Sequence, residues 1–420
     1  MRDPVDVRIA ALGARGDGIA ELDGDRLYVP FTVPGDLVRV QPGEKKGEGL
    51  SASLIEVIEP GPGRAEPQCV HFGICGGCAL QHLDDSSYAA FKRDQVVRAL
   101  AHHGLGDVEV AMPLIVPARA RRRTRLTARR SGGRVLLGYL ERGSHRMVGV
   151  TECPVILPRL EALLPPLRGL LAELLGAKDP LHLTLTSTDT GIDLLIAGDK
   201  RPGLRALQAI AAFAEAQDIA RISWEARDGS DPVAVRRPPT IQFGRAGVSL
   251  PPGAFLQAAK DSEDWMVDMA RAATAGARHI ADLFAGCGTF TAVLAENSAV
   301  SAFESSAEMV EACRRGINHA RGLHPVTLSR RDLFREPLSV KELEKFDAVV
   351  IDPPRAGAKA QTETLAVADV PVAVAFSCNP ATFARDARAM IDGGYMLETV
   401  TPIDQFRWSA HVELTAVFRK

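Results

Sequence analysis

The sequence predicts an α/β protein in which a doubly wound parallel sheet follows a small β-barrel and a central α+β segment. From residue 261 onward, apolar strands alternate with amphipathic helices, a pattern typical of a sheet with helices on both faces. Residues 1–60 instead contain short apolar strands separated by glycine-containing turns, as small barrels do. The length of 420 residues exceeds what one hydrophobic core usually serves, so several domains are expected.

The composition indicates a globular protein and argues against a membrane-spanning one. Hydrophobic residues make up 46% of the chain and charged residues 24%. No apolar run approaches the roughly 18 residues that a membrane helix needs. The N-terminus lacks the apolar core of a secretory signal, so we expect a protein of the reducing cytoplasm. Its seven cysteines should then not be paired as disulfides.

The first two domains are predicted from short periodic segments. In the barrel, residues 1–60, strands are expected over 5–9, 26–30, 37–40 and 53–58. The central domain, residues 61–250, should contain helices over 88–100, 158–175 and 204–217 and a hairpin over 181–196.

An arginine-rich segment lies within the central domain. Residues 119–146 hold ten arginines against the single acid Glu141 and alternate as strands do. The formal net charge of −2 gives no global sign of a nucleic-acid partner, but this local excess is suited to a phosphate backbone. A solvated pair of strands would have the same composition.

The third domain, residues 251–420, is predicted to carry the doubly wound sheet. Strands are expected over 279–284, 300–304, 346–352 and 370–377, and helices after Thr289 and over 306–320, 362–368 and 381–392. Ligands of such sheets bind at the carboxyl ends of the strands. The residues that end these strands are therefore the candidate site.

A glycine-rich turn after the first of these strands predicts a cofactor site. In the segment Asp282-Leu283-Phe284-Ala285-Gly286-Cys287-Gly288-Thr289-Phe290, the glycines allow a sharp turn and the close approach of a ligand. Glu304 ends the second strand as a ribose-binding carboxylate would, and Asp332 and Asp352 follow two later strands. The turn alone is also compatible with a dinucleotide site or a plain tight turn. With the additional acids, S-adenosylmethionine is favoured.

Near the C-terminus, a thiol and a carboxylate suggest chemistry on a pyrimidine. Cys378 lies in Ser377-Cys378-Asn379-Pro380 at the end of a buried strand, and Glu413 follows in His411-Val412-Glu413. Attack of a thiolate at C6 of uracil makes C5 nucleophilic, and a base must later remove the C5 proton. The alternatives are a small buried cysteine and an outward-facing strand carboxylate.

Four further cysteines are candidate ligands. Cys69, Cys75 and Cys78 cluster, and Cys153 is the remaining cysteine of the N-terminal half. Four thiolates can hold zinc or an iron–sulfur cluster. The spacing departs from the paired CxxC elements common at zinc sites, which favours iron–sulfur and leaves zinc as the alternative.

Together these motifs resemble the bacterial RNA uracil-5-methyltransferase family over nearly the whole chain. The resemblance rests on the four clustered cysteines, the cofactor loop, Asp352-Pro353-Pro354-Arg355, the Cys378 motif and the Glu413 motif. It implies a TRAM-like domain for the barrel and a [4Fe-4S] cluster on the four cysteines. It also implies that residues around 85–115 pack on the C-terminal domain.

The same resemblance implies the roles of the site residues. Cys378 would be the nucleophile and Glu413 the proton-abstracting base. The implied cofactor contacts are Gln257, Phe284, Thr289, Glu304, Asp332 and Asp352.

The implied activity is S-adenosylmethionine-dependent methylation of uracil C5 in structured RNA, by an enzyme expected to be a monomer. The TRAM-like barrel favours 23S rRNA as the substrate, with tRNA as the alternative. An iron–sulfur RNA-binding protein with a vestigial methyltransferase domain is a rival interpretation.

Two features depart from the family pattern. Residues 1–60 carry 7 lysines and arginines against 11 acids, which moves the expected RNA contact to the arginine-rich segment. The segment Gln405-Phe406-Arg407-Trp408-Ser409-Ala410 replaces the more usual polar run before His411, so the substrate identity is left open.

Overall fold

The computed structural model describes residues 3–46, 49–176 and 179–420. Residues 1–2 and 47–48 of the predicted barrel segment, and residues 177–178, lie outside the described residues. Within these ranges the chain forms three large sheets and one two-stranded sheet. No helix in this described part is both long and apolar enough to cross a membrane.

The N-terminal segment folds as a six-stranded sheet. Its strands are β1 (Val5–Arg8), β2 (Ala11–Leu12), β3 (Gly18–Leu22), β4 (Asp25–Val29), β5 (Leu37–Lys46) and β6 (Gly49–Glu59). They are arranged in the order β1-β5-β6-β4-β3-β2. Alternate apolar side chains such as Leu27, Val29, Val38 and Val40 are fully buried and form one core. The period of two in the sequence thus produces the inner face of this sheet.

The middle of the chain adds four helices and ten strands to the described structure. They are α1 (Asp85–His102), β7 (Leu114–Ile115), β8 (Arg123–Ser131), β9 (Arg134–Leu140), β10 (Met147–Gly149), α2 (Pro158–Glu161), α3 (Leu164–Leu174), β11 (Leu181–Thr188), β12 (Gly191–Ala197), α4 (Leu204–Ala216), β13 (Arg221–Ala226), β14 (Gly229–Val235), β15 (Thr240–Phe243) and β16 (Ala246–Ser249).

Seven of these strands form the central sheet, in the order β10-β9-β8-β11-β12-β13-β14. Helices α3 and α4 bury Leu167, Leu171 and Ile210 in the same core as its inner strands. The single helix predicted over 158–175 is instead two, because a proline inside a helix removes a backbone donor. Pro165 and Pro166 are therefore accommodated at the start of the second helix, α3.

The C-terminal part alternates strands and helices as predicted. Its elements are α5 (Lys260–Ala273), β17 (His279–Leu283), α6 (Thr289–Leu294), β18 (Ala299–Glu304), α7 (Ala307–His319), β19 (Val326–Arg330), α8 (Val340–Leu343), β20 (Ala348–Ile351), α9 (Lys359–Val367), β21 (Val372–Ser377), α10 (Pro380–Asp392), β22 (Met396–Leu397), β23 (Thr401–Asp404) and β24 (Glu413–Arg419).

These strands form a sheet in the order β19-β18-β17-β20-β21-β24-β23-β7, with β22 paired to β24. The five strands from β19 to β21 run parallel, and the chain order reverses between β17 and β20. This reversal is the switch point at which doubly wound sheets bind ligands. The predicted fold class is confirmed.

One segment from the middle of the sequence belongs to the C-terminal sheet. Leu114 of β7 pairs in parallel with Ile403 of β23, at the sheet edge. Helix α1 buries Val96 and Leu100 in the same core as Phe383 of α10. Residues 85–115 therefore pack on the sheet that carries the candidate site.

Candidate active site

The carboxyl ends of neighbouring parallel strands bring the candidate site together. β17, β20 and β21 lie side by side, with Ile351 paired to Leu283 on one side and to Ala375 on the other. Three predicted site residues come directly after these strands: Phe284, Asp352 and Cys378. Their proximity follows from parallel pairing, because equivalent strand ends meet at one sheet edge.

Glu413 reaches the same edge because the last strand runs in the opposite direction. β24 is antiparallel to β21, and Leu414 pairs with Ser377. The next step of the ladder brings Cys378, which follows β21, beside Glu413, which begins β24. Glu413 is 3% exposed, whereas Cys378 is half-buried. The predicted nucleophile and base are therefore neighbours across a strand pair.

A short turn presents the thiol of Cys378 to the cavity. Asn379 caps α10, since its Oδ1 accepts the N–H of Ala381 at 3.1 Å. The side-chain amide of Asn379 also donates to the carbonyl of Arg355 at 3.1 Å. Pro380 begins the helix, where its missing N–H costs nothing. The Ser-Cys-Asn-Pro sequence thus ends the strand, exposes the thiol and starts the helix.

Two side-chain amides connect the buried acids. Nε2 of Gln405 donates to Glu413 and, at 2.8 Å, to Oε1 of Gln257. Nε2 of Gln257 in turn donates to Oδ2 of Asp352 at 3.0 Å. The predicted base and the acid of the Asp-Pro-Pro-Arg motif are therefore linked through hydrogen bonds.

The turn after β17 and the end of β18 form the predicted cofactor side of the cavity. Glu304 accepts the backbone N–H groups of Gly286 at 3.0 Å and Ser306 at 2.8 Å, which fixes its carboxylate. Gly288 has a φ of 95°, and a Cβ at this position would collide with Sγ of Cys313. Glycine is therefore required here both by backbone conformation and by packing.

Burial raises the pKa values of the acids at this sheet edge. Burial and then the charge of Asp282 raise the pKa of Asp352 to about 7, and burial raises the pKa of Asp282 to about 6. Burial and then Asp352 raise the pKa of Glu413 well above its ordinary value. Such a concentration of acids is stabilised by a positive charge, so the site is electrostatically suited to a cationic ligand.

The thiol lies between these acids and a guanidinium group. Burial, then Glu413 and Asp352, raise the pKa of Cys378 to about 11, while Arg355 acts in the opposite direction. Arg355 also donates to Nδ1 of His411 at 2.9 Å. Burial and this neighbouring cation lower the pKa of His411, so its ring is neutral at pH 7. Arg355 is therefore a cation of the cavity wall that favours the thiolate.

Six of the eight predicted catalytic and cofactor residues line one cavity of about 540 Å³: Phe284, Glu304, Asp332, Asp352, Cys378 and Glu413. Gln257 lies behind this wall, hydrogen-bonded to Asp352. Thr289 is the first residue of α6 and is not among the lining residues.

The cavity also contains residues to which the sequence analysis assigned no role. They include Phe255, Phe334, Arg355, Gln405, Phe406 and His411. Arg355 and His411 belong to the Asp352 and Glu413 motifs that the sequence analysis identified, so their place in the site could have been predicted from the sequence. Gln405 and Phe406 lie in the segment that departs from the family pattern, and only this departure drew attention to them in the sequence.

The four clustered cysteines line a second cavity, of about 290 Å³, together with Arg121 and Tyr139. Burial raises the pKa values of the thiols of Cys69, Cys75 and Cys78, the last to about 12. Across the described ranges, no group of three or more His, Cys, Asp or Glu residues is arranged to hold a metal ion. The predicted metal site is therefore not supported as a preformed single-ion centre, although its four thiols share one cavity.

A buried ion pair attaches helix α1 to the segment before Glu413. Nζ of Lys92 donates to Oδ1 of Asp404 at 2.8 Å, and both side chains have no exposed surface. Lys92 also donates to the carbonyl of His411, and the Tyr88 hydroxyl donates to Asp404. The carbonyl of Trp408 accepts two N–H groups from the loop next to Cys78, those of Ala79 and Leu80. The segment between β23 and β24 is thus held by α1 and by the cysteine loop.

Comparison with known families identifies the two ends of the chain. Residues 249–420 match the family described as tRNA (Uracil-5-)-methyltransferase. Residues 5–62 match the tRNA (uracil(54)-C(5))-methyltransferase TRAM domain. The N-terminal sheet is therefore a TRAM domain, as the resemblance implied.

Relatives extend this similarity over the whole chain. An "Uncharacterized RNA methyltransferase" of Brucella suis is 44% identical over 99% of this chain and 97% of its own length. The 23S rRNA (uracil(1939)-C(5))-methyltransferase RlmD of Halomonas elongata is 34% identical over 96% of this chain and 87% of its own length. The protein is thus an RNA methyltransferase. More narrowly, the chain belongs to the RNA uracil-5-methyltransferase family.

A solved structure has the same fold. Pyrococcus abyssi tRNA (uracil-54, C5)-methyltransferase, in complex with S-adenosyl-L-homocysteine, superposes with a TM-score of 0.77 at 24% sequence identity. The match covers 98% of this chain and 99% of that one. The two proteins therefore share one overall fold.

Proposed function

We propose that this protein methylates C5 of a uracil in structured RNA through a covalent bond between Cys378 and C6. The observation that carries the proposal is the antiparallel pairing of β21 with β24. It places a thiol and a buried carboxylate side by side in one cavity, with Asp352 connected to the carboxylate. C5 methylation requires a nucleophile that attacks C6 and a base that removes the proton from the adjacent C5.

S-adenosylmethionine would bind on the side formed by the β17–α6 turn. Glu304 and Asp332 line this side, and the rings of Phe284 and Phe334 lie 5.4 Å apart there. A volume of about 540 Å³ is typical of small-molecule sites. When bound, this cofactor supplies an electrophilic methyl group. Its positive charge would offset the buried acids, which also favours ionisation of Cys378.

The first step is performed by Cys378. Its thiolate forms a bond to C6 of the uracil, and the C5–C6 double-bond electrons move to make an enolate that extends to O4. C5 would then bond to the methyl group as the methyl–sulfur bond of S-adenosylmethionine breaks, leaving S-adenosyl-L-homocysteine, and the enolate carbonyl would be restored. The thiol proton must leave before this attack, and we assign its acceptance to Asp352, which lines the same cavity, because Glu413 has to remain ionised for the second step.

Glu413 performs the second step. It removes the C5 proton, the electrons of that C–H bond rebuild the C5–C6 double bond, and the C6–S bond breaks to return Cys378 as a thiolate. The raised pKa of Glu413 makes it a stronger base than an exposed carboxylate. Its carboxylate is also buried, so it is shielded from bulk water.

The RNA would lie along the exposed side of β8 and β9. Several arginines of segment 119–146 are engaged within the protein: Arg122 with Glu263, Arg119 with Glu161, and Arg142 with Asp17. The side chains that remain exposed on these strands include those of Arg125, Arg129 and Arg134. The proposed phosphate-binding surface therefore includes fewer of the arginines of segment 119–146 than the sequence analysis suggested.

We favour 23S rRNA as the substrate. The RlmD relative is 34% identical over 96% of this chain, and its name identifies 23S rRNA as that protein's substrate. The alternative, tRNA, is favoured by the two matching family descriptions and by the archaeal structure of the same fold.

We further propose that Cys69, Cys75, Cys78 and Cys153 hold a [4Fe-4S] cluster. All four thiols line one cavity, and burial keeps at least three of them protonated in the absence of a bound cation. A cubane cluster separates its thiolates because each binds a different iron, whereas zinc draws four sulfurs around one ion. The spacing of the four cysteines, which departs from the paired CxxC elements common at zinc sites, favours the cluster. Its proposed role is to hold the cysteine loop in place.

Nucleoside mass spectrometry provides the test. Anaerobically purified protein would be incubated with methyl-labelled S-adenosylmethionine and either 23S rRNA or tRNA transcripts, with Cys378→Ala as the control. We expect labelled 5-methyluridine in the 23S rRNA and none with Cys378→Ala. A product other than 5-methyluridine, or full turnover by Cys378→Ala, would contradict the mechanism. Label in tRNA alone would overturn the substrate assignment and leave the mechanism intact.

A further inference from the structure

Gln405 is a buried amide whose hydrogen-bonding capacity is fully used. It follows β23 directly and is 1% exposed. Its Oε1 accepts the backbone N–H of Ala258 at 2.6 Å and shares the Ser262 hydroxyl proton, at 3.2 Å, with the carbonyl of Ala259, at 2.8 Å. Its Nε2 donates to Gln257 at 2.8 Å and to Glu413. Two donors and two acceptor sites are all that a glutamine amide has.

The direction of each hydrogen bond in this network is determined by Ala258. A backbone N–H can only donate, so the atom of Gln405 that faces Ala258 is the oxygen, and the NH₂ group faces Gln257 and Glu413. Gln257 must then present its own oxygen to Gln405 and its NH₂ to Asp352. Each of the two acids therefore receives one amide N–H.

This arrangement constrains which oxygen of Glu413 can act as the base. Oε2 already accepts from Gln405, so Oε1 has the greater free lone-pair capacity to take the reacting proton. An N–H donor stabilises the ionised carboxylate, which opposes the effects of burial and of Asp352. Without that donor, the carboxylate would be free to rotate and would be protonated over a wider pH range.

We propose that Gln405 is a positioning residue that orients Glu413 for removal of the C5 proton. The inference rests on the proposed function, because it assigns Gln405 to the elimination step of that reaction. In this step the proton passes from C5 to Oε1 of Glu413, the C5–C6 double bond re-forms, and the sulfur of Cys378 leaves C6 with the bonding electrons. Gln405 contacts neither the uracil ring nor its C5 proton, and acts only through Glu413.

The test separates methyl transfer from elimination. RNA containing [5-³H]uracil releases tritium only at elimination, whereas transfer from methyl-¹⁴C-labelled S-adenosylmethionine reports the preceding step. Gln405→Leu keeps the size of the side chain and removes all four hydrogen bonds. We expect tritium release to fall about 10- to 100-fold, as for loss of one hydrogen bond to a charged group. First-turnover methyl transfer should stay within about twofold, and a methylated RNA–protein adduct should accumulate.

Gln361→Leu is the matched control. Gln361 is also 1% exposed, and both groups of its amide are hydrogen-bonded, to the backbone of Leu338 and the hydroxyl of Thr364. It touches none of the acids in these bonds, so both rates should match wild type. A second variant, Gln405→Glu, covers the case in which the leucine variant does not fold. Its added acid should move the pH profile of tritium release to higher pH, because it opposes ionisation of Glu413.

Wild-type tritium release by Gln405→Leu, or a pH profile of Gln405→Glu that superposes on wild type, would overturn the assignment. Equal losses of methyl transfer and tritium release in Gln405→Leu would also overturn it, since they would indicate a merely structural role. Failure of the proposed function would look different. In that case wild-type protein itself would release no tritium and form no adduct that depends on Cys378.

Discussion

Replacing Asp352 by asparagine should stabilise the ligand-free protein at neutral and alkaline pH and have little effect in acid. Burial and the charge of Asp282 raise the pKa of Asp352 from 3.8 to about 7. The folded protein therefore binds this proton more tightly than the unfolded chain does. Such a group contributes its full stability below its unfolded pKa, and the contribution is lost as pH rises through the folded pKa. Asparagine does not ionise, so the variant should not lose this contribution to stability as the pH rises.

The structure sets an upper limit on the effect. The difference between 3.8 and about 7 corresponds to at most ~4 kcal/mol, at about 1.4 kcal/mol per pH unit. Part of the Asp352 carboxyl faces the open cavity, so water should reduce this value. The oxygen of asparagine can still accept from Gln257, so little is lost in exchange. In a domain of this size, each kcal/mol moves the melting temperature by about 2–4 °C.

Melting temperatures measured without cofactor from about pH 4 to about pH 9 provide the assay. The wild-type value should fall relative to that of Asp352→Asn between about pH 4 and pH 8. Asp347→Asn is a control of opposite sign, since the N–H groups of His279 and Arg278 lower the pKa of Asp347. Loss of the Asp347 carboxylate in this variant should destabilise the protein at neutral pH and have a smaller effect in acid. Parallel curves for wild type and Asp352→Asn would refute the raised pKa.

Three further predictions test the site and its supports. Glu413→Gln should methylate RNA once and then remain bonded to it, so denaturing gels should show a shifted band that Cys378→Ala lacks; normal turnover would exclude Glu413 as the base. Lys92→Met should cost about 3–5 kcal/mol in urea unfolding, because it leaves the buried Asp404 without its neighbouring cation. A cost below about 1 kcal/mol would contradict the pairing. Cys153→Ser should lower the iron and sulfide content of anaerobically purified protein. If the wild-type protein instead contained zinc and no sulfide, the four cysteines would be a zinc site and the cluster assignment would be wrong.

The residues at parallel strand ends were predictable from the sequence. Asp352 and Cys378 each follow an apolar run, and parallel strands bring their carboxyl ends to one edge. Most element bounds also agree, because helix and strand periods are local properties. The predicted helix over 158–175 is divided, since Pro165 and Pro166 are accepted only at a helix start.

The amide network around Gln405 was not predictable in this way. Its partners Ala258 and Glu413 come from different elements, and no local pattern links them. The departure of segment 405–410 from the family pattern marked the place but suggested a change of substrate. The contacts show in addition that Gln405 of this segment donates a hydrogen bond to Glu413.

The sequence alone determined the class of fold, the succession of elements and the chemical groups available for reaction. These follow from hydrophobic period, from glycine and proline at the turns, and from side-chain chemistry, all of which act over a few residues. Only the tertiary structure decided that β24 lies antiparallel beside β21, that Cys378 therefore meets Glu413, and that Lys92 of α1 holds Asp404. The physical reason is that pairing between distant segments depends on packing over the whole core, which no short stretch of sequence specifies.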